Sequence, residues 1–364
     1  MTDGANSIGK IAALVSAGNA PAPAVGLSFG DCQIVLETNS EILRDRLIAY
    51  FGAYVGAVSQ PDFHIVAIER DVPDLGLTFR DWPRDPGKIG RKDAVADLAD
   101  GRVIQKVRTG MHFLVAADTR IAFGPCLPNS NQIINFVISQ YLGWLVDRGW
   151  AVCHAAGVIF DGAGIGIAAF SGGGKSSLAL RLMSRGATFV SNDRLLIKNV
   201  GVPTMAGVPK QPRVNPGTIL NNPDLRQIIP EARRSELLKL PNEELWDLEE
   251  KYDVPIDAVF GSSRSAPSAR MMSLVILNWE RESEQPFAMK KVTLAERNDL
   301  LNAVMKPTGA FYLPRCGTAP ETFDMLDRSD YIEKFSGVDV FEFTGRVDFD
   351  RAAEACEKDI CASV

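Results

Sequence analysis

One stretch constrains this chain more than any other. Residues 168–193 read AAFSGGGKSSLALRLMSRGATFVSND. An apolar run, IGIAAF (165–170), enters the glycines Gly172, Gly173 and Gly174. Lys175 then opens a helical pattern, KSSLALRLMSRG, that closes at Gly186. A strand, a glycine loop and a helix in that order form the context of a phosphate-binding loop, G-x-x-x-x-G-K-[ST]. Ala169 stands where the first glycine of that pattern belongs.

The chemistry of such a loop is geometric. Glycines let successive backbone N–H groups turn toward one centre, and the helix adds the positive end of its dipole. Gly172, Gly173 and Gly174 supply the turn, with Ser171 and Ser177 flanking it as further candidate nucleotide contacts. Lys175 brings a full charge to the phosphates, and the Ser176 hydroxyl is the candidate magnesium ligand. The plain alternative is a flexible glycine turn followed by a chance Lys-Ser.

Two other residues join this candidate site. Asp193 lies 18 positions after Lys175 and follows the apolar TFV, as does the acid that assists magnesium in many nucleotide enzymes. Most P-loop GTPases and motor ATPases hold that acid on a more distant strand, so the short return narrows the class. By itself Asp193 also reads as a turn aspartate. His154 lies 21 positions before Lys175, at the start of the preceding strand. A lone histidine in an apolar strand is usually a core residue, but at this place it can orient a carboxylate or contact a phosphate.

The rest of the chain bounds the setting. Its 364 residues exceed the roughly 250–300 at which single cores split, so two domains are expected, an N-terminal mixed α/β domain at 1–125 and a P-loop domain at 126–364. In the first, helical patterns at 8–17 and at EILRDRLIAYFGAYV, capped by Ser40, alternate with the strands LSFGDCQIVLET and FHIVAIE. Residues 95–123 read as an antiparallel meander with Gly turns. The second opens on a long apolar helix, NQIINFVISQYLGWLVDRG, and AVCHAAGVIF reads as one strand. TLAERNDLLNAVM and DFDRAAEACEKDI read as helices, and GSSRSAPSAR as a mobile basic loop.

A net charge of −6 gives no basic footprint for nucleic acid. No apolar run reaches the ~18 residues of a membrane span. Six scattered cysteines without a C-x-x-C pair argue against a zinc ribbon or a disulfide framework. A reduced, cytoplasmic setting is the expectation.

With these residues in hand, CHAAGVIFDGAGIGIAAFSGGGKSSLALRLMSRGATFVSNDRLLI (153–197) resembles the core of the bacterial HPr kinase/phosphatases. His154, Ser171, Gly172, Gly174, Lys175, Ser176, Arg185, Gly186, Asp193 and Arg194 fall on that family's pattern without a gap. KQPRVNPGT, WDLEEKYDV and GRVDFD resemble the diverged HprK-related branch labelled kinase B. The resemblance implies an α/β kinase domain of the HPr kinase and phosphoenolpyruvate carboxykinase type. It implies ATP and Mg²⁺ as cofactors, Ser176 and Asp193 as metal ligands, a homo-oligomer, and transfer of the γ-phosphate to a hydroxyl.

Three departures stand out. Ala169 replaces a glycine, Ser177 replaces a glutamate after K-S, and Asn192 replaces the first acid of an Asp-Asp pair. In that family the pair supplies a metal-side acid and a base; with one carboxylate left, the resemblance implies either that Asp193 serves only one role or that His154 shares the other, and reverse dephosphorylation is the activity most affected.

The leading function is therefore an ATP-Mg-dependent kinase acting on a hydroxyl of a protein, peptide or small molecule. Lys175, Asp193 and His154 are its catalytic candidates. Lys210, Arg213, Arg264 and Arg270 are candidate phosphate contacts, the last two in a loop that could close like an arginine finger. Their plain reading is solvated loop charge. A nucleotide-binding sensor without transfer activity is the alternative. A carboxykinase-like lyase is a third reading, but three histidines leave little room for its second metal.

Overall fold

The computed structural model describes residues 7–19, 24–84, 90–170, 172–314 and 319–360. They form two compact units. The first comprises 1–149 and 307–326, the second 150–306 and 327–364.

In the first unit, alternating buried residues build β1 (Ala24–Phe29), β2 (Cys32–Thr38) and β3 (Phe63–Glu69), the exposed pair Arg80–Asp81 forms β4, and buried runs build β5 (Asp93–Leu98), β6 (Gly101–Lys106), β7 (His112–Val115) and β8 (Arg120–Gly124). They form one sheet in the order β1-β2-β3-β8-β7-β6-β5-β4. The expected meander is its antiparallel half, β5 to β8. Helix α1 (Ile8–Ser16) is capped by Ser7 and packs Ile8, Ile11 and Val15 in one cluster with Val103, Leu114 and Phe123. The Ser40 side chain accepts from the Leu43 N–H and caps α2 (Glu41–Phe51), as the sequence suggests.

This unit runs past residue 125, the expected boundary, because α3 (Ser130–Val146) belongs to it. Phe136 on α3 packs at 4.9 Å on Phe113 of β7. The returning segment seals the contact: the Phe311 ring meets both, at 4.9 and 5.2 Å. The Gln140 amide donates to the Phe311 carbonyl at 3.2 Å.

The second unit contains the strands β9 (Ala151–Cys153), β10 (Ala155–Phe160), β11 (Ala163–Ala169), β12 (Thr188–Ser191), β13 (Leu195–Asn199), β14 (Pro203–Ala206), β15 (Arg213–Val214), β16 (Tyr252–Asp253), β17 (Ser268–Leu277), β18 (Ala288–Val292) and β19 (Asp339–Thr344). The main sheet runs β12-β10-β11-β17-β14-β13-β9, with β19 beside β17 and β18 beside β19. Strands β11, β17 and β19 are mutually parallel, and Ala169, Leu277 and Phe343 lie level at their carboxyl ends. Their side chains are buried, as expected of central parallel strands.

AVCHAAGVIF is not one straight strand. It bends at His154 into β9 and β10. Cys153 pairs with Leu195, and Gly157 pairs with Ser191. Between those pairs lie 154–156 on one side and 192–194 on the other, so the antiparallel register is carried across an unpaired gap. Two other expectations change. TLAERNDLLNAVM yields only a short 3₁₀ turn and the four-residue helix Leu301–Val304. The basic loop joins the edge of β12, where Phe189 N–H donates to the Arg264 carbonyl and Ala266 N–H to the Phe189 carbonyl, each at 2.8 Å.

Helix α4 (Lys175–Ser184) follows β11 through the glycine loop and buries Leu178, Leu180, Leu182 and Met183. Each such side chain contributes about 1.5–3 kcal/mol. Gly172 and Gly174 adopt φ of +78° and +89°, the left-handed region. The Gly173 N–H donates to the Phe170 carbonyl at 2.9 Å. The Trp279 indole N–H donates to the Gly173 carbonyl at 2.8 Å, which ties the loop to the chain just after β17.

A Cβ on Gly172 would meet nothing, whereas one on Gly174 would stand 2.6 Å from the Phe349 ring. We therefore expect Gly172→Ala to cost about 1–2 kcal/mol from backbone strain alone. Gly174→Ala should cost more, by about 1–3 kcal/mol of overpacking. Urea denaturation of the two variants measures the difference, and equal losses would contradict this packing.

Candidate active site at the glycine loop

The unpaired gap and α4 bring His154, Asp193 and Lys175 together, and Lys306 joins them from the segment after Met305. The Lys175 Nζ lies 2.8 Å from the His154 Nε2. The Asp193 carboxylate lies 3.3 Å from His154 Nε2, 3.4 Å from Lys175 Nζ and 3.0 Å from Lys306 Nζ. His154 is held by its own backbone, whose N–H donates to the Val304 carbonyl at 2.7 Å. Asp193 is held by the turn that follows β12: the buried Ser191 hydroxyl donates to the Arg194 carbonyl at 2.7 Å.

Lys306 had no signature in the sequence. It arrives because Cys153 forms a bridge with Met305 and the Lys306 N–H donates to the Val152 carbonyl at 3.2 Å. A lysine after a short helix has no motif, and only this long-range pairing puts it beside Asp193.

The electrostatics follow from the geometry. Burial pushes the Asp193 carboxyl upward, but the His154 hydrogen bond and the charges of Lys306 and Lys175 outweigh it. The carboxyl titrates well below the usual carboxylate range. At His154, the contact with Asp193 favours the charged ring, while burial, Lys175 and Lys306 together favour the neutral one and prevail. Burial foremost lowers Lys175, with Asp193 opposing. The His154 Nε2 stands between a donor and an acceptor: unprotonated it accepts from the Lys175 ammonium at 2.8 Å, and protonated it donates to the Asp193 carboxylate at 3.3 Å. Asp193 is 49% exposed, so solvent screens part of these interactions.

A strap, residues 207–218, walls this site. Near one end the Val208 N–H approaches the Ser191 hydroxyl at 3.5 Å. At the other, the Thr218 and Ser177 hydroxyls are hydrogen-bonded at 2.8 Å. Ser177 therefore serves as an anchor for the strap. Lys210 lies between, close enough to feel Asp193. Burial first, then Arg194, pushes its pKa down to about 8, with Arg213 adding and Asp193 and Asp253 opposing. Arg213 pairs with Asp253 at 3.4 Å.

The other candidates fall elsewhere. Ser171 lies outside the described residues. Arg264 is no arginine finger here: its guanidinium donates to the Met183 and Ala187 carbonyls at 3.1 and 2.6 Å, at the carboxyl end of α4. Ten residues at 1.5 Å each separate it from Lys175 by roughly 15 Å. Arg270 pairs with Thr204 at the opposite end of β17 from Leu277, roughly 20 Å from the loop by strand rise.

The fit of a metal can be tested on the residues present. Among the described residues no group of three or more His, Cys, Asp or Glu gathers to hold an ion alone. The buried Asn192 Oδ1 has no hydrogen-bond partner, and neither has the Asn215 Oδ1. Asn192 precedes Asp193 in the chain, and an unpartnered amide oxygen is a ligand type that suits a hard cation whose remaining ligands are phosphate oxygens and water.

No model of a known protein family matches this chain, and no curated protein matches it. Among solved structures it is similar to the HPr(Ser) kinase/phosphatase from Coxiella burnetii, at 11% identity and a TM-score of 0.31, over 58% of this chain and 89% of that one. So low a score carries no argument about fold or function. No described helix is long and apolar enough to cross a membrane.

Two measurements check this geometry. Arg264→Ala should lower stability, by roughly 1–2 kcal/mol for charge-assisted bonds at a helix terminus, while nucleotide affinity is unchanged; a selective loss of affinity would return Arg264 to the phosphates. Nitrogen NMR of His154 should show a titration midpoint below that of a free imidazole. Lys175→Met should raise the midpoint, since it removes a charge that opposes protonation. The native ring binds fewer protons than the unfolded one in that window, so stability contributed by His154 is lost as pH falls through its native pKa.

Proposed function

We propose that the second unit binds a nucleoside triphosphate with magnesium and transfers its terminal phosphate to a hydroxyl. The observation that carries this reading is the convergence of Lys175, Lys306 and His154 on Asp193 directly beneath a left-handed glycine loop. A chance glycine turn has no reason to present its lysine to a histidine and a carboxylate from two separate strand ends.

In this reading the amides of Gly172–Ser176 cradle the phosphates, and Lys175 leaves His154 for the phosphate oxygens. Asp193, the Ser176 hydroxyl and the Asn192 amide oxygen would hold magnesium, which would supply charge neutralisation on the transferring group. Lys306 adds positive charge where the transition state is negative. Asp193 is too weak a base to do more than hold a cation and orient the hydroxyl. Neutral His154, its Nε2 released by Lys175, accepts the hydroxyl proton. A loose transition state asks little of that base. Asn192 cannot take a proton, which disfavours the reverse attack by inorganic phosphate.

Calorimetry with Mg-ATP and Mg-GTP should show binding that Lys175→Ala weakens at least tenfold; equal affinity in both proteins would sink the assignment. Asp193→Asn should abolish ATP consumption in the presence of a cell extract supplying acceptors. Such consumption separates a kinase from a nucleotide sensor, which would bind and not turn over. Release of phosphate from the phosphorylated product should stay near background, and brisk release would move a second base into the site.

A further inference from the structure

The strap carries charge that the nucleotide does not account for. Around the site, the groups acting on one another are the cations Lys175, Lys306, Lys210, Arg194, Arg213 and Lys251 against the carboxylates Asp193 and Asp253. Magnesium already cancels part of a triphosphate's charge, so a bound Mg-nucleotide leaves these cations in excess. Lys210 and Arg194 have further interactions in the fold; it is the summed charge, not an unpaired side chain, that favours another anion. The strap is also fixed at both sides of the site, at Ser191 and at Ser177. It further contains a polar atom in want of a donor, the buried Asn215 Oδ1.

We propose that residues 207–218 form the acceptor site, and that the acceptor is a small hydroxylated anion. Lys210 and Arg213 hold its carboxylate or phosphate, and its hydroxyl faces Asp193 and His154. The assignment rests on the phosphoryl-transfer reading above. It gives the transfer a simple balance: the acceptor oxygen bonds to the γ-phosphorus, the bond from that phosphorus to the bridging oxygen breaks, the nucleoside diphosphate leaves, and the hydroxyl proton goes to His154. A neutral serine in a peptide would leave the strap's cations unmatched.

The groups facing Lys210 are Arg194, Asp193, Arg213 and Asp253. Its pKa near 8 supports the proposal. A second anion favours the charged lysine, so affinity falls as pH rises through that value and Lys210 loses its proton in the anion-free protein.

The test titrates inorganic phosphate, and separately lactate, into the full chain saturated with Mg²⁺ and a non-hydrolysable ATP analogue. One or both anions should bind; phosphate alone identifies a phosphorylated acceptor, and lactate alone a hydroxy acid. Lys210→Gln should weaken the binding at least tenfold. Lys210→Arg, which keeps the charge and does not titrate, should restore it and remove the decline between pH 7.5 and 9.5. If the analogue binds and neither anion does, or if Lys210→Gln binds them as tightly as the unaltered protein, the acceptor assignment falls while the nucleotide reading stands. If the analogue itself does not bind, both fall.

Discussion

Asp193 is the counterion on which the second unit's basic corner depends. Three nitrogenous groups from three different parts of the chain, the end of β9, the start of α4 and the segment after Met305, meet its two oxygens. Each alone would be a modest, screened contact. Together they bias the protonation of three members: a carboxyl held well below its usual range, an imidazole shifted toward its neutral form and, in Lys175, a lysine that gives up its proton more readily than usual. That poise is a property of the cluster and of no single member.

The cluster exists because two strand segments stop pairing at the same level. The chain through 151–160 and the chain through 188–199 run antiparallel; their mutual pairing lapses for three residues between Cys153–Leu195 and Gly157–Ser191, which share one register, and a bulge shifts it by one residue after Gly157. An interrupted ladder leaves backbone groups and side chains open to a ligand where a continuous one would bury them. The parallel strands β11 and β17 end beside this gap, with the glycine loop above it. Ligands in open α/β sheets sit beyond the carboxyl ends of strands, and here the loop, the gap and the strap share that edge.

The loop and the alternation of strands were legible in the sequence because both depend on local rules. Three glycines before Lys-Ser, an apolar run before them and an amphipathic run after them fix a turn into a helix, and the structure has it. His154 and Asp193 were found by distance along the chain from Lys175. The rest was not legible. Lys306 depends on a bridge between Cys153 and Met305, a pairing that no periodicity announces. Arg264 sat in a polar, basic stretch with the composition of a mobile loop, and only the edge of β12 beneath it shows that it closes α4. The extent of the first unit was hidden for the same reason: α3 reads as an apolar helix that either half could bury, and the Phe113, Phe136 and Phe311 cluster decides it.

That aromatic cluster has a consequence for the order in which the chain takes shape. Phe311 belongs to the first unit yet is made after most of the second. During synthesis from the N-terminus, Phe113 and Phe136 emerge early and wait for their third ring through about half the polypeptide. Domains tend to fold as units while the chain is being made, but here the earlier unit stays short of a core residue until the later one is nearly complete. Each unit is discontinuous in the other's terms, so neither finishes far ahead of its neighbour. A nascent chain arrested before the returning segment would leave uncovered the part of the Phe113 and Phe136 rings that Phe311 seals.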